Sequence, residues 1–125
     1  MNVNRKHIVV VGGSFGGINA AYELRRQLRQ TAEITVISKE RDFTFLPSLP
    51  WAILGWRDPA SLLVGIEKPL KRRGIRFVHA EVEQLDPGKC EVATRTETFP
   101  YDAALIASGA DLDYDAVPGI APESG

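Results

Sequence analysis

A chain of 125 residues, 44% hydrophobic and 25% charged, has the size and balance of one ordinary globular domain with a modest core. Its 15 basic and 16 acidic side chains leave a formal charge of −1, too weak a field to gather nucleic acid or a membrane by charge alone. The single cysteine, Cys90, excludes an intrachain disulfide and a cysteine zinc site, and His7 and His79 have no ligand spacing, so no metal is expected.

Residues 7–11, "HIVVV", are β-branched and continuously apolar, which predicts a strand buried on both faces. A glycine-rich turn follows over 12–17. A helix is expected from about Gly16 to Gln30, with Ile18, Ala21, Leu24 and Leu28 on one face. Arg25, Arg26 and Arg29 fall on the other side near its C-terminal end, where positive charge suits the helix dipole and a solvated face is the simplest reading. "AEITVIS" (32–38) predicts a second buried strand, which completes a strand–helix–strand unit. The stretch "RDFTFLPSLPWAILGW" (41–56) breaks the alternation, because Pro47 and Pro50 forbid an ordinary long helix. Short helices are expected over 59–65 and 67–73, the second capped by Gly74. Residues 75–86 and 90–96, joined by "DPGK", read as an antiparallel hairpin. "YDAALIASGA" (101–110) predicts one more buried strand, and "VPGIAPESG" (117–125) a loop.

The turn "GGSFGG" carries the chemistry. In a dinucleotide turn the first glycine bends sharply after the strand, the second lets the backbone approach the pyrophosphate, and the third lets the helix pack closely on the sheet. Gly12, Ser14 and Gly17 fill those places, with Gly13 and Gly16 beside them. The helix start then offers N–H groups and partial positive charge to an anion. Serine at the middle place fails only if position 14 needs a positive φ, at a cost of roughly 1–2 kcal/mol. The alternative is a glycine-rich bend that binds nothing; the flanking strand, helix and second strand favour a functional turn. An acid is expected about 20 residues later at the adenosine ribose, but Ser38 and Lys39 come first. Ser38 suits a ribose hydroxyl, Lys39 suits a 2′-phosphate or solvent, and Glu40 falls one step further into the loop.

"GGSFGG", "FTFLPSLPWAILG", "KRRGIRFVHAEVEQLDP", "FPYDAALIASGA" and "VPG", in that order, resemble the first FAD-binding segment of the pyridine nucleotide–disulfide oxidoreductase superfamily. "FTFLPSLPWAILG" is most similar to the sulfide:quinone oxidoreductases and their relatives the type II NADH dehydrogenases. The resemblance implies a partial α/β fold: a Rossmann-like three-layer domain of the FAD/NAD(P)-binding type, with an antiparallel β-hairpin or meander. It implies FAD as cofactor, with Gly12, Gly13, Ser14, Phe15, Gly16 and Gly17 along the pyrophosphate and Ser38 and Lys39 at the ribose. Val82 would read the adenine edge through its backbone. Ala107, Ser108 and Gly109 stand for the family's Ala-Thr-Gly turn beside the cofactor, and Pro47 would lie near the isoalloxazine ring.

For Phe43, Phe45, Trp51 and Trp56, core packing is the simpler expectation than contact with such a ring. Cys90 matches no family cysteine and is expected to be a buried or half-buried structural residue. Lys68, Lys71, Arg72, Arg73 and Arg76 read as a solvated helix end, with anionic lipid as the alternative. The family's FAD domain is discontinuous, so residues 1–125 correspond to its N-terminal part. The expectation is therefore a fragment of a longer enzyme that holds the ADP portion of FAD weakly and lacks catalysis. Sulfide, with electrons passed through FAD to a quinone, is the leading electron donor. The alternatives are NADH, or a non-catalytic nucleotide-binding module. No apolar run approaches the ~18 residues of a membrane span, and the opening "MNVNRKHIVVVGG" is too short in apolar length for a signal peptide. A cytoplasmic setting is expected, with peripheral contact at the inner membrane face left open.

Overall fold

The first strand is continuously apolar because both of its faces are covered. In the computed structural model, which describes residues 5–111, 113 and 116–118, β1 (Lys6–Val11) is followed by α1 (Phe15–Leu28) and β2 (Ala32–Ser38). Two short antiparallel strands, β3 (Asp42–Thr44) and β4 (Leu63–Gly65), bracket the proline-rich stretch and its single helical turn α2 (Leu49–Ile53). Then come α3 (Glu67–Arg72), β5 (Arg76–His79), a three-stranded meander of β6 (Val82–Asp86), β7 (Glu91–Thr94) and β8 (Thr98–Pro100), and finally β9 (Ala103–Ile106). The main sheet runs β5-β2-β1-β9, every pair parallel.

Successive side chains of a strand point to opposite faces, and here each face has its own core. Val10, Ile34 and Val36 point to α1 and α3, where they meet Ala21, Leu70, Ile75 and Ile66. Val9 and Ile37 point the other way, onto Val92 and Phe99 of the meander. The fold is therefore three layers, with helices on one side of a parallel sheet and an antiparallel meander on the other, as expected. Burying each of these aliphatic or aromatic side chains is worth roughly 1.5–3 kcal/mol. At the amino ends of β1 and β9, the loop before β9 is tied to β1. Asp102 accepts from Lys6 Nζ at 2.7 Å and from the His7 amide at 2.8 Å. The Lys6 hydrogen bond, and then the amide, hold the Asp102 carboxyl below the usual carboxylate range.

Several sequence expectations are corrected by this arrangement. Residues 75–86 are two strands rather than one. β5 pairs in parallel with β2 (Ser38 opposite His79), and the Ala80 amide bonds the Ser38 carbonyl at 3.0 Å. The chain then leaves that sheet, so only β6 pairs with β7. An apolar run cannot by itself reveal that it changes sheets midway. Residues 59–65 begin as one tight turn, Pro59–Leu62, capped by Asp58 Oδ1 on the Ala60 amide at 2.9 Å, and end as β4 rather than continuing as helix. The strand expected over 101–110 is shorter, and Ile106 is 57% exposed rather than buried. The loop expected over 117–125 lies, beyond Pro118, outside the described residues.

Arg25 is buried, not solvated. Its guanidinium donates to the carbonyls of Arg29, of Ala32 at 3.0 Å and of Gly74 at 2.8 Å, which joins the end of α1, the start of β2 and the end of α3. Helix periodicity places it off the apolar stripe; only the arrival of Gly74, 49 residues later in the chain, gives its charge a reason to turn inward. Gly74 itself has φ +68°, as a C-terminal glycine cap requires. Cys90 is exposed, at φ 56° in the tight turn before β7, rather than buried. Core packing fails for three of the four aromatics: Trp56 is 73% exposed, and Trp51 and Phe45 are exposed as well, while Phe43 packs against the helix-side core. No helix among the described residues is long and apolar enough to cross a membrane.

Candidate functional site

The carboxyl ends of β1, β2 and β9 meet at the glycine turn. Gly12 has φ +113°, and its amide bonds the Ile37 carbonyl at 2.8 Å, which ties the start of the turn to β2. A methyl group on Gly12 would fall on the Ala107 carbonyl, and one on Gly17 on the Gly12 carbonyl. The first and third glycines are thus required by backbone packing: one against the exit of β9, the other where α1 crosses the turn. At Gly13 the obstacle is a side chain, since an added Cβ would lie 2.7 Å from Ser38 Oγ and 2.8 Å from Ser38 Cβ. Ser14 has φ −106° and ψ −159°, ordinary extended backbone. The condition under which serine would fail at the middle place does not arise.

Ser14 is the N-cap of α1 and makes no side-chain cap bond. Its carbonyl accepts from Ile18 N–H at 2.9 Å. The amides of Phe15, Gly16 and Gly17 therefore precede the helix's own ladder and have no acceptor within it. No acidic side chain occupies the first turn. Amides and the helix dipole together make the turn's mouth electropositive without any charged side chain.

That mouth opens into a cleft of about 370 Å³. Its walls include Gly12, Gly13 and Ser14 of the turn, Ser38 and Lys39 at the end of β2, Val82 at the start of β6, and Ala107 and Ser108 beyond β9. The chain brings these sequence-predicted positions together from four separate segments. Others lie outside the cleft. Phe15 packs edge-on against Phe43 with ring centroids 4.7 Å apart and lines a separate apolar cleft of about 360 Å³. Gly16 faces Ala107, where an added Cβ would make an ordinary 3.5 Å contact, and Gly17 lies beneath the turn. Pro47 is exposed within a single 3-10 turn, Leu46–Ser48, and Gly109 is exposed with φ +77°.

Sequence reasoning passed over part of the wall. Glu40, set one step too far along, lines the cleft, as do Asp42, Phe43, Thr44, Leu46 and Glu81. Glu40 carried a signal, being an acid near the expected distance from the turn. Glu81 carried none, because the break between β5 and β6 that places it there is a tertiary event. The cleft thus joins the amide N–H groups of the turn to Ser38, which lies against Gly13, and to a wall that also carries Glu40, Asp42 and Glu81. Ser38 is 7% exposed, and its Oγ accepts from the Glu40 amide at 3.2 Å while keeping its own proton to donate. Anionic groups suit the amides of the turn, and hydroxyl groups suit Ser38 and the carboxylates of the wall. Among the described residues no group of three or more His, Cys, Asp or Glu could hold a metal ion.

The fold is shared with known proteins. A family model described as pyridine nucleotide-disulphide oxidoreductase matches residues 6–125. The chain is 37% identical over 112 residues to the sulfide-quinone reductase of Aquifex aeolicus, covering 89% of this chain and 26% of that protein. It is 27% identical over 124 residues to a type II NADH:quinone oxidoreductase of Staphylococcus haemolyticus, covering 96% of this chain and 30% of that one. The crystal structure of the Aquifex aeolicus sulfide:quinone oxidoreductase superposes with a TM-score of 0.80 at 36% identity, over 87% of this chain and 25% of that one. The chain thus spans between a quarter and a third of the length of these relatives. A family-model match over nearly all of its residues places the chain in the pyridine nucleotide-disulphide oxidoreductase family.

Proposed function

We propose that the chain is the N-terminal part, residues 1–125, of a discontinuous FAD-binding domain in a longer sulfide:quinone oxidoreductase. The observation that carries the reading is the cleft in which the amides of the glycine turn and hydroxyl-binding groups line one cavity. Its volume is at the low end of small-ligand pockets, roughly 300–1,000 Å³, which suits the ADP portion of FAD rather than the whole cofactor.

The glycine turn, Gly12 to Gly17, would hold the pyrophosphate: its amides donate, Gly13 leaves room beside Ser38, and the Ser14 hydroxyl adds a donor. Ser38 and Lys39 would meet the adenosine ribose, with the Glu40 and Glu81 carboxylates accepting from its hydroxyls. Val82 would present backbone groups to the adenine. Ala107, Ser108 and Gly109 would pass along the cofactor, and Pro47 would stiffen the stretch nearest the isoalloxazine. When bound, FAD supplies two-electron redox chemistry. This chain's residues bind it, orient it and exclude water; none is assigned as a catalytic acid, base or nucleophile, and the chain alone is expected to be inactive.

Sulfide is favoured as the electron donor by the 37% identity to the sulfide-quinone reductase. NADH, the second reading, is supported by the weaker likeness to type II NADH:quinone oxidoreductases. Anaerobic titration of the full-length parent, followed by its flavin absorbance, tests both. Bleaching by sulfide but not by NADH is expected. Bleaching by NADH alone would overturn the choice of donor, and a colourless parent would overturn the cofactor. A quinone added afterwards should restore the colour.

A further inference from the structure

We propose that His79 is a positioning residue, which fixes the hydroxyl-binding wall of the cleft by bridging Lys39 and Arg41 as a single neutral tautomer. The cleft's occupant is taken from the nucleotide reading above. Lys39, Glu40 and Arg41 link β2 to β3, are all exposed, and belong to no helix or strand. The first two line the cleft. His79, the last residue of β5, pairs with Ser38 across the sheet. Its Nδ1 lies 2.9 Å from Arg41 Nε, and its Nε2 lies 2.9 Å from the Lys39 carbonyl.

The partners decide where the imidazole proton sits. Arg41 Nε can only donate, so His79 Nδ1 must be the bare acceptor; the Lys39 carbonyl can only accept, so Nε2 must carry the proton. Both bonds hold in one protonation state alone. Adding a second proton turns Nδ1 into a donor facing a donor and sets an imidazolium against a guanidinium. The ring contacts Arg41 Nε and the Lys39 carbonyl; the other charged groups near it in the chain are Glu40 of the loop, Glu81 just beyond β5, and Arg76 earlier on β5, itself paired with Glu97 at 3.1 Å. β2 offers only the uncharged Ser38 at that level. Two carboxylates can soften the repulsion, but neither can replace the lost acceptor. Protonation of the ring should therefore release Arg41 and loosen the wall that presents Lys39 and Glu40.

The test has two arms. Without nucleotide, ring ¹⁵N NMR at pH 7.5 should show His79 protonated at Nε2 and bare at Nδ1. Arg41→Met should relax that preference. In the second arm, ADP is titrated into the chain at pH 7.5 and 5.5. Native affinity should fall roughly threefold to tenfold at the lower pH beyond any fall in His79→Gln, the worth of one such bond. His79→Gln keeps a donor and an acceptor, does not titrate, and accounts for the nucleotide's own protonation. His79→Phe should bind weakly at both pH values. A ring protonated at Nδ1, or equal pH dependence in the native chain and His79→Gln, would overturn the proposal. Failure of native chain and variants alike to bind ADP at either pH would overturn the nucleotide reading and the wall's role with it, while the ring tautomer would still decide the bridge itself.

Discussion

Gly13 and Ser38 should behave as one energetic unit, and a double-mutant cycle can measure it. An alanine Cβ at position 13 would lie 2.8 Å from Ser38 Cβ and 2.7 Å from its Oγ, with Ile66 Cδ1 at 3.0 Å. Carbon atoms prefer roughly 3.5–4.0 Å, so the overlap with Ser38 is the better part of an ångström. Ser38 cannot swing aside freely: it is buried at the end of a strand paired on both sides, and its Oγ already holds the Glu40 amide. Overpacking of this kind costs about 1–3 kcal/mol, or roughly 3–9 °C in melting temperature for a chain of this size. Ser38→Gly removes both clashing atoms and leaves only the movable tip of Ile66. Gly13→Ala should then cost less than about 1 kcal/mol, for a coupling of about 1–2 kcal/mol. Ser38→Ala, which keeps Cβ, should rescue only in part. Urea denaturation of the four proteins, followed by circular dichroism, gives the cycle. Additivity within about 0.5 kcal/mol would refute the reasoning.

The neighbouring glycines should separate sharply. Gly16→Ala meets only an ordinary 3.5 Å contact with Ala107 Cβ, so it should be neutral or stabilising by up to about 1 kcal/mol; Gly17→Ala strikes the Gly12 carbonyl and should cost more than about 3 kcal/mol or prevent folding, as thermal melts would show. Arg25→Ala should cost about 2–4 kcal/mol in chemical denaturation, because it strips donors from the carbonyls of Arg29, Ala32 and Gly74. Arg25→Lys should recover less than half of that, since one ammonium cannot reproduce the planar fork. The Asp102 carboxyl is held down in the folded state, so its contribution is complete above the ordinary aspartate value of about 3.8 and disappears as pH falls through its lower folded value. Asp102→Asn should therefore flatten the decline of stability below about pH 4 in a denaturation series; parallel curves for the two proteins would contradict this.

Local chemistry made most of the parallel core readable in advance. Continuous β-branched runs announced β1 and β2, and glycines announced both the turn and the end of α3. The glycine turn of the cleft was legible for the same reason, because it is built from backbone within six consecutive residues. Ser38, Lys39 and Val82 were legible too, but Glu81 in the same wall was not, because that wall is assembled across the sheet. Glu81 arrives there through a strand that changes partners at Ala80, and Arg25 turns inward toward Gly74 in a distant loop. Trp51 and Trp56 misled for a related reason: composition marks an aromatic as apolar, yet only the packing shows that 51–57 stands off the core, where Ile53 is 84% exposed.

Amide NMR during an ADP titration of this chain bears most directly on the cleft. Saturable shifts should concentrate at Gly12–Gly17, Ser38–Glu40 and Glu81–Val82, with the Phe15, Gly16 and Gly17 amides moving most. Shifts confined to other surfaces, or none at millimolar ADP with the chain folded, would contradict it.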